Sequence, residues 1–152
     1  MYKQGQYLLF KLGALTFGIS KHEVVKVLPS SDLQEGGTNQ FMAGRITYQD
    51  KIIPVIDTRV QIGMQAQGID KQKDILLLSG SSDNFTFIGL LVDRVLQPVI
   101  INKGSIQQIN EQSACSNFSI TGRISMENKD ILLLDILSYT DISALQKEVS
   151  CF

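Results

Sequence analysis

The acidic residues Asp57 and Asp135 are the pair in this sequence best placed to do chemistry. Each follows an apolar run, and two carboxylates that share one proton are the catalytic requirement of an aspartic protease. That mechanism needs a glycine soon after each aspartate, so that the loop can bring the two carboxylates together. Arg59 and Leu137 stand at those positions. We therefore favour a structural role, in which each aspartate accepts hydrogen bonds from the backbone of the turn after its strand. An aspartic-protease-like enzyme using these two residues is kept as an alternative.

Other catalytic and ligand-binding chemistries lack their residues. His22 is the only histidine, and no Gly-x-Ser-x-Gly element is present to expose a nucleophilic serine. The sequence has neither a Gly-x-Gly-x-x-Gly nor a Gly-x-x-x-x-Gly-Lys-Ser/Thr motif that would bind nucleotide phosphates. Cys115 and Cys151 are 36 positions apart and form no Cys-x-x-Cys motif, so they predict neither a zinc site nor a disulfide framework. We expect no catalytic site, no cofactor and no metal.

Charge and hydropathy exclude two further classes of protein. The chain of 152 residues has 14 basic and 15 acidic residues, a net charge of -1, and shows no basic stripe of the kind that nucleic-acid binders carry. Its N-terminal residues do not resemble a signal peptide, and no apolar stretch approaches the ~20 residues that a membrane-spanning helix needs. We therefore expect a cytoplasmic protein that binds no nucleic acid and is not inserted in the membrane.

The apolar residues occur in short runs of strand length, separated by glycine, proline, asparagine and aspartate. Many short strands at this spacing predict an all-β barrel or sandwich. Residues 139–149 differ, because their apolar residues follow a helical spacing after a capping signal, and we predict a C-terminal helix there. The predicted strand cores are residues 7–10, 15–19, 24–28, 52–56, 75–78, 85–92 and 131–134.

An internal repeat organises these strands. Residues 44–57 align without a gap on residues 122–135, with six identities in fourteen positions at an offset of 78. Residues 17–24 match residues 88–95 at an offset of 71. Chance recurrence of Gly-Arg-Ile is the alternative, but both matches keep their order along the chain. Units of this size are marginally stable alone, so we expect them to pack together across an apolar seam. The two predicted units cover approximately residues 6–64 and 73–137.

Two runs carry a resemblance to a known family. The segment from Lys51 to Asp57, Lys-Ile-Ile-Pro-Val-Ile-Asp, and the segment from Gly89 to Val95, Gly-Leu-Leu-Val-Asp-Arg-Val, resemble the CheW-like domain in order and spacing. The resemblance extends over about residues 5–145. It implies a single domain over 1–152, made of two small five-stranded SH3-like β-barrels on a shared hydrophobic seam. It also implies a non-catalytic adaptor.

The same resemblance implies the partners. Proteins of this family couple the cytoplasmic coiled-coil tip of chemoreceptors, the methyl-accepting chemotaxis proteins, to the regulatory domain of a CheA-like histidine kinase. The resemblance therefore implies a protein of a bacterial chemosensory array, monomeric on its own and held near membrane-bound receptors by its partners. An SH3-like scaffold module for another cytoplasmic assembly is the second alternative.

Departures from the family pattern occur at the partner-binding positions. The family has Asn-x-Arg-Gly where this chain has Thr-Tyr-Gln-Asp, so Gln49 replaces the arginine and Asp50 the glycine. Lys26 stands where an acidic residue is common, and we consider a charge swap in which Lys26 pairs with Asp50. These changes suggest a divergent member, serving either flagellar chemotaxis or an array such as that of type IV pili. The receptor- and kinase-binding positions implied by the resemblance are Val24, Lys26, Gly44, Gln49, Asp50, Arg59, Ile75 and Gly89.

Overall fold

The computed structural model describes residues 5–36, 42–62, 64–65, 72–79, 87–112 and 118–136, and within them β-strands predominate. One short helix, α1 (Thr58–Gln61), follows the sixth strand. The predicted helix over 139–149 and both cysteines lie outside the described residues. The strands are β1 (Gly5–Leu12), β2 (Leu15–Ser20), β3 (Val24–Pro29), β4 (Gln34–Glu35), β5 (Met42–Tyr48), β6 (Lys51–Asp57), β7 (Asp74–Ser79), β8 (Phe87–Val92), β9 (Arg94–Ile101), β10 (Gln107–Gln112), β11 (Phe118–Met126) and β12 (Lys129–Ile136).

These strands form two six-stranded sheets. The first sheet has the order β10-β11-β12-β2-β1-β9, and the second has the order β4-β5-β6-β8-β7-β3. Neighbouring strands are antiparallel except for β2 with β12 and β6 with β8, which are parallel. The mostly β architecture with two sheets agrees with the all-β prediction.

The two sheets show the internal repeat in three dimensions. Replacing each strand of the first sheet by the strand six places away along the chain reproduces the order of the second sheet. The registers agree as well. In the parallel pairs, Gly18 lies opposite Leu133 in the first sheet, and Gly89 lies opposite Val55 in the second. Gly18 and Gly89 are related by the offset of 71, and Val55 and Leu133 by the offset of 78. Chance recurrence therefore does not explain the repeat.

The sheets do not follow the division of the chain into residues 6–64 and 73–137. Strands β1 and β2 join β9 to β12, whereas β7 and β8 join β3 to β6. Each sheet therefore takes two strands from one repeat and four from the other. The exchange occurs because the short connections after β2 and β8 cross from one sheet to the other, so that strands adjacent in the chain lie in different sheets. A repeat of about 60 residues thus has no separate core in this fold.

A seam of buried apolar side chains joins the two sheets. Phe10 and Phe17, from the first sheet, stack with ring centroids 5.7 Å apart. Side chains of the second sheet complete the same cluster, which confirms the predicted seam. The seam consists of Leu8, Phe10, Leu12, Phe17, Ile19, Met42, Ile56, Leu76, Leu78, Ile88, Leu90, Val92 and Leu134.

Each sheet also encloses an apolar cluster of its own, on the face away from the seam. In β7, Leu76 and Leu78 face the seam, while Ile75 and Leu77 face the inner cluster of the second sheet. Because side chains alternate along a strand, a strand buried on both faces is apolar at every position. That is why the sequence shows continuous apolar runs rather than alternating ones. The inner cluster of the first sheet contains Tyr7, Leu9, Ile101, Ile124, Ile131 and Leu133.

Candidate functional site

The turn between β5 and β6 presents two of the predicted partner-binding residues to solvent. Gln49 and Asp50 are exposed and have φ values of 51° and 63°. Positive φ at both central residues is the geometry of the two-residue turn that matches the twist of a hairpin. The equivalent turn between β11 and β12 has the same geometry, at Glu127 and Asn128. The chain therefore keeps the tight turn although it lacks the glycine that suits it.

Lys26 lies beside this turn and contacts an aromatic ring. Its Nζ atom is 6.0 Å from the centre of the Tyr48 ring, within the range of a cation–π contact. The Tyr48 ring in turn meets the Phe87 ring edge to face at 5.7 Å, and Lys51 Nζ lies 5.8 Å from the Phe87 centroid. No ion pair joins Lys26 to Asp50 within the part of the chain that the structure describes. The charge-swap hypothesis is therefore wrong, because Lys26 lies over an aromatic side chain instead. We call Lys26, Tyr48, Gln49 and Asp50 the turn patch.

Exposed apolar side chains occur near the turn patch. Strand β3, which carries Lys26, is an outer strand of its sheet, and among the described strands it pairs only with β7. Val25 and Val27 of this strand are 45% and 39% exposed, and Ile52, just after the turn, is 57% exposed. Apolar side chains on an outer strand next to polar ones are typical of a surface that meets another protein.

Three other predicted positions are buried. Ile75 is fully buried in the inner cluster of the second sheet, and a Cβ added to Gly89 would lie 3.0 Å from Ile75 Cγ2. A Cβ added to Gly44 would overlap the carbonyl oxygen of Gln34. Val24 is half-buried and packs against the seam. Ile75, Gly89 and Gly44 therefore shape the sheet beneath the surface, while Lys26, Gln49 and Asp50 lie on it.

Arg59, the remaining predicted position, belongs to a buried charge cluster. Its Nε donates to Asp93 Oδ1 at 2.7 Å, and its Nη2 donates to Asp93 Oδ2. Lys73 Nζ donates to Asp93 Oδ1 at 3.2 Å, and the backbone N–H of Gly13 donates to Asp93 Oδ2 at 2.6 Å. The side chains of Arg59, Asp93 and Lys73 are 10%, 20% and 5% exposed. We call these four residues the Asp93 clasp.

The Asp93 clasp links the two sheets. Gly13 lies in the turn between β1 and β2 of the first sheet, whereas Arg59 lies in α1, directly after β6 of the second. Asp93 itself lies where the chain crosses from β8 to β9. Burial alone would raise the pKa of the Asp93 carboxyl, but the hydrogen bonds from Arg59, Gly13 and Lys73 outweigh it and hold that pKa well below its usual range. The hydrogen bond to Asp93 also raises the pKa of Arg59.

Asp57 caps α1. Its Oδ1 accepts a hydrogen bond from the backbone N–H of Arg59 at 3.1 Å, which confirms the predicted role in the turn after its strand. Burial raises the pKa of this carboxyl, against the opposing effect of backbone hydrogen bonds and of the Lys73 and Arg59 charges. Asp135 lies in β12 of the first sheet, opposite Ser119 of β11. The two aspartates thus belong to different sheets.

Sequence reasoning missed the Asp93 clasp. Asp93 and Lys73 are 20 residues apart, and Arg59 precedes Asp93 by 34 residues, so no local spacing connects them. One signal was available. A carboxylate directly after the fully apolar strand β8 lies at the edge of the core, where a charged side chain needs a partner.

Two kinds of feature, a metal-binding cluster and a membrane-spanning helix, are absent from the described part of the chain. Among its residues, no group of three or more histidine, cysteine, aspartate or glutamate side chains could hold a metal ion. No helix within it is long and apolar enough to cross a membrane.

Comparisons with known proteins agree with the fold. The model of the CheW-like domain family matches residues 6–142. Among solved structures, the scaffolding protein TtCheW from Thermoanaerobacter tengcongensis is similar, with a TM-score of 0.74 and 24% sequence identity. The alignment covers 88% of this chain and 90% of that one. No curated protein sequence matches at a significant level.

Proposed function

The chain belongs to the CheW-like domain family, and on this premise we propose that it couples chemoreceptors to a CheA-like histidine kinase in a bacterial chemosensory array. Members of the family are non-catalytic scaffold proteins of chemotaxis signalling, and the chain is not an enzyme. The aspartic-protease alternative is thereby excluded.

The turn patch and the outer strand β3 support a protein-binding role. They combine a cation, an exposed hairpin turn and exposed valines that flank the cation along β3 of the second sheet. Apolar contact area next to hydrogen-bonding groups is the usual composition of a modest protein interface. We propose that this surface binds the regulatory domain of the kinase, itself a CheW-like module. The coiled-coil tip of the receptor would lie in a groove between the two halves of the molecule, as a helix in a groove.

The inner cluster of each sheet supports the expected SH3-like barrels. A sheet that curls around one of its faces encloses an apolar cluster there, and the buried members of the cluster in the second sheet all come from strands of that sheet. In this proposal the described sheets are the walls of two barrels that share the seam. Two barrels would allow a scaffold to present one surface to each of two neighbours in a ring.

Calorimetric titration with the regulatory domain of a CheA-type kinase from the same genome tests the proposal. We expect a one-to-one complex with a dissociation constant on the order of micromolar, the range of modest interfaces. Lys26→Glu should weaken the complex at least about tenfold, since it puts a negative charge beside Tyr48 and Asp50. Lys21→Glu is the matched control, because Lys21 is exposed, lies outside the turn patch and undergoes the same change of charge.

The outcome separates coupling from a scaffold role elsewhere. Equal affinities for Lys26→Glu and Lys21→Glu would show that the turn patch is not the kinase surface. Absence of binding at several hundred micromolar by the folded wild-type protein would refute kinase coupling and favour an SH3-like scaffold for another assembly. A complex with the kinase of a pilus-type array but not with that of a flagellar system would assign the protein to the divergent group that Gln49 and Asp50 suggest.

A further inference from the structure

A cleft of about 270 Å³ opens on the first sheet, on the face that carries its inner cluster. Its floor is apolar, and Leu9 and Ile131 of that cluster contribute to it. Leu96, Val99 and Met126 line its walls. The cleft lies on the first sheet, whereas the turn patch belongs to the second. The proposed kinase surface therefore does not account for it.

The internal repeat shows what the corresponding place contains in the second sheet. By the offsets of the alignment, Thr16 corresponds to Phe87 and Met126 to Tyr48. Phe87 is buried there, and its ring packs edge to face against Tyr48. Thr16 and Met126 line the open cleft in the first sheet. A small residue thus stands where the second sheet has a phenylalanine ring, and the open volume is where that ring would be.

The rim of the cleft is positively charged. Lys11, Arg94 and Lys129 line it, against the single carboxylate of Glu127. Lys129 corresponds to Lys51, whose Nζ lies over the Phe87 ring in the second sheet. A ring inserted beside Thr16 would meet Lys129 in the same way, as a cation–π contact. Acidic groups flanking that ring would find Lys11 and Arg94 on the rim.

We propose that this cleft binds an aromatic side chain of a partner polypeptide, flanked by acidic residues, in the place that Phe87 fills in the second sheet. The apolar floor accepts the ring, and the three cations select for acidic neighbours and against basic ones. The proposal does not depend on coupling to a kinase or a receptor, because the test contains neither of them.

Fluorescence titration provides the test, since the protein has no tryptophan. The probe is the blocked peptide acetyl-Glu-Trp-Glu-amide, whose emission should shift on binding with a dissociation constant on the order of 0.1–1 mM. The charge-reversed peptide acetyl-Lys-Trp-Lys-amide should bind at least about tenfold more weakly. Amide chemical shifts of the labelled protein should change at Leu96 and Met126 and not at Gln49.

Two variants check the location. Thr16→Phe places in the cleft the residue that the second sheet already accommodates, so it should keep the fold, raise the melting temperature or leave it unchanged, and abolish peptide binding. Lys129→Gln leaves the cleft open and should weaken binding about threefold or more. If Thr16→Phe fails to fold, Lys129→Gln and the shift map still locate the site.

Four results would overturn the inference. These are binding of the lysine peptide as tight as that of the glutamate peptide, unchanged binding by folded Thr16→Phe, and shift changes confined to the turn patch. The fourth is binding of free phenylacetate as tight as that of the peptide, which would indicate a small-molecule site instead of a polypeptide one.

Discussion

Replacing Asp93 by asparagine should destabilise the protein by removing the carboxylate on which Arg59 and Lys73 converge. Asparagine keeps the shape and can still accept a hydrogen bond from Gly13, so the change isolates the charge. Breaking a buried ion pair on one side costs about 3–5 kcal/mol, because the partner cation stays buried without its counter-charge. Since the Asp93 side chain is 20% exposed, solvent screens part of the interaction, and we expect the lower end, about 3 kcal/mol. In a chain of this length that lowers the melting temperature by roughly 6–12 °C.

The assay is urea unfolding at pH 7, followed by far-ultraviolet circular dichroism. The transition midpoint should fall while the slope stays unchanged, as for a loss of stability without a change in compactness. Asp74→Asn is the matched control. Its Oδ2 accepts the backbone N–H of Val95 at 2.8 Å, an interaction that asparagine can keep, so it should cost less than about 1 kcal/mol.

The pH dependence gives a second check. The pKa of Asp93 is lowered in the folded state, so its stabilising contribution is complete above the unfolded pKa of about 4 and is lost as pH falls below it. The difference in unfolding free energy between wild type and Asp93→Asn should therefore shrink steadily below about pH 5. A loss of less than about 1 kcal/mol at pH 7, or a difference that does not change with pH, would refute the stabilising role of the Asp93 clasp.

Three further pairs of substitutions test individual features of the fold. Asp57→Asn should leave the unfolding free energy at pH 7 unchanged or slightly raised, because burial disfavours the charge and asparagine caps a helix equally well. Asp57→Ala removes the cap and should lower the unfolding free energy by about 1 kcal/mol, measured by thermal unfolding. Gly89→Ala should lower the unfolding free energy by about 1–3 kcal/mol in urea unfolding, because the added methyl group overpacks the core. Gly18→Ala should lower it somewhat less, because the nearest atom to its added methyl group is 0.2 Å farther away. Equal losses of stability would contradict this explanation. Asp50→Gly should raise the melting temperature by relieving about 1 kcal/mol of positive-φ strain. Asn128→Gly should raise it less, because asparagine tolerates a positive φ better than aspartate does. A loss of stability in both variants would refute the presence of strain.

Local patterns were sufficient to predict the repeat and seven of the twelve described strands, whereas β4, β5, β9, β10 and β11 contain none of the predicted strand cores. The apolar runs around Phe10 and Leu76 predicted strands because a strand is decided by residues near one another in the chain. The two alignments at offsets 71 and 78 predicted two related β units, and the register of Gly18 and Gly89 agrees with that repetition. The seam was predicted as well, since so many apolar residues in small units need a common core.

The candidate site was predicted less completely. The positions of Lys26, Gln49 and Asp50 on the surface agree with a role in contacts, but the pairing of Lys26 with Asp50 was wrong. Charge complementarity suggested it, whereas the ring of Tyr48 lies where Lys26 can reach it. Ile75 and Gly89 were proposed as partner-binding positions without knowledge of their burial. Which of these residues a partner touches remains a prediction.

The sequence by itself determined the family, the predominance of β-strands and the twofold repetition of the protein, because each is recorded in residue types at short spacing. Only the tertiary structure decided that each sheet takes strands from both repeats, and that Arg59, Lys73 and Asp93 meet between them. Both depend on contacts between residues far apart in the chain. The parallel pairing of β2 with β12 joins residues more than 100 positions apart, and the energy that selects it comes from burying the shared seam, which no single segment contains.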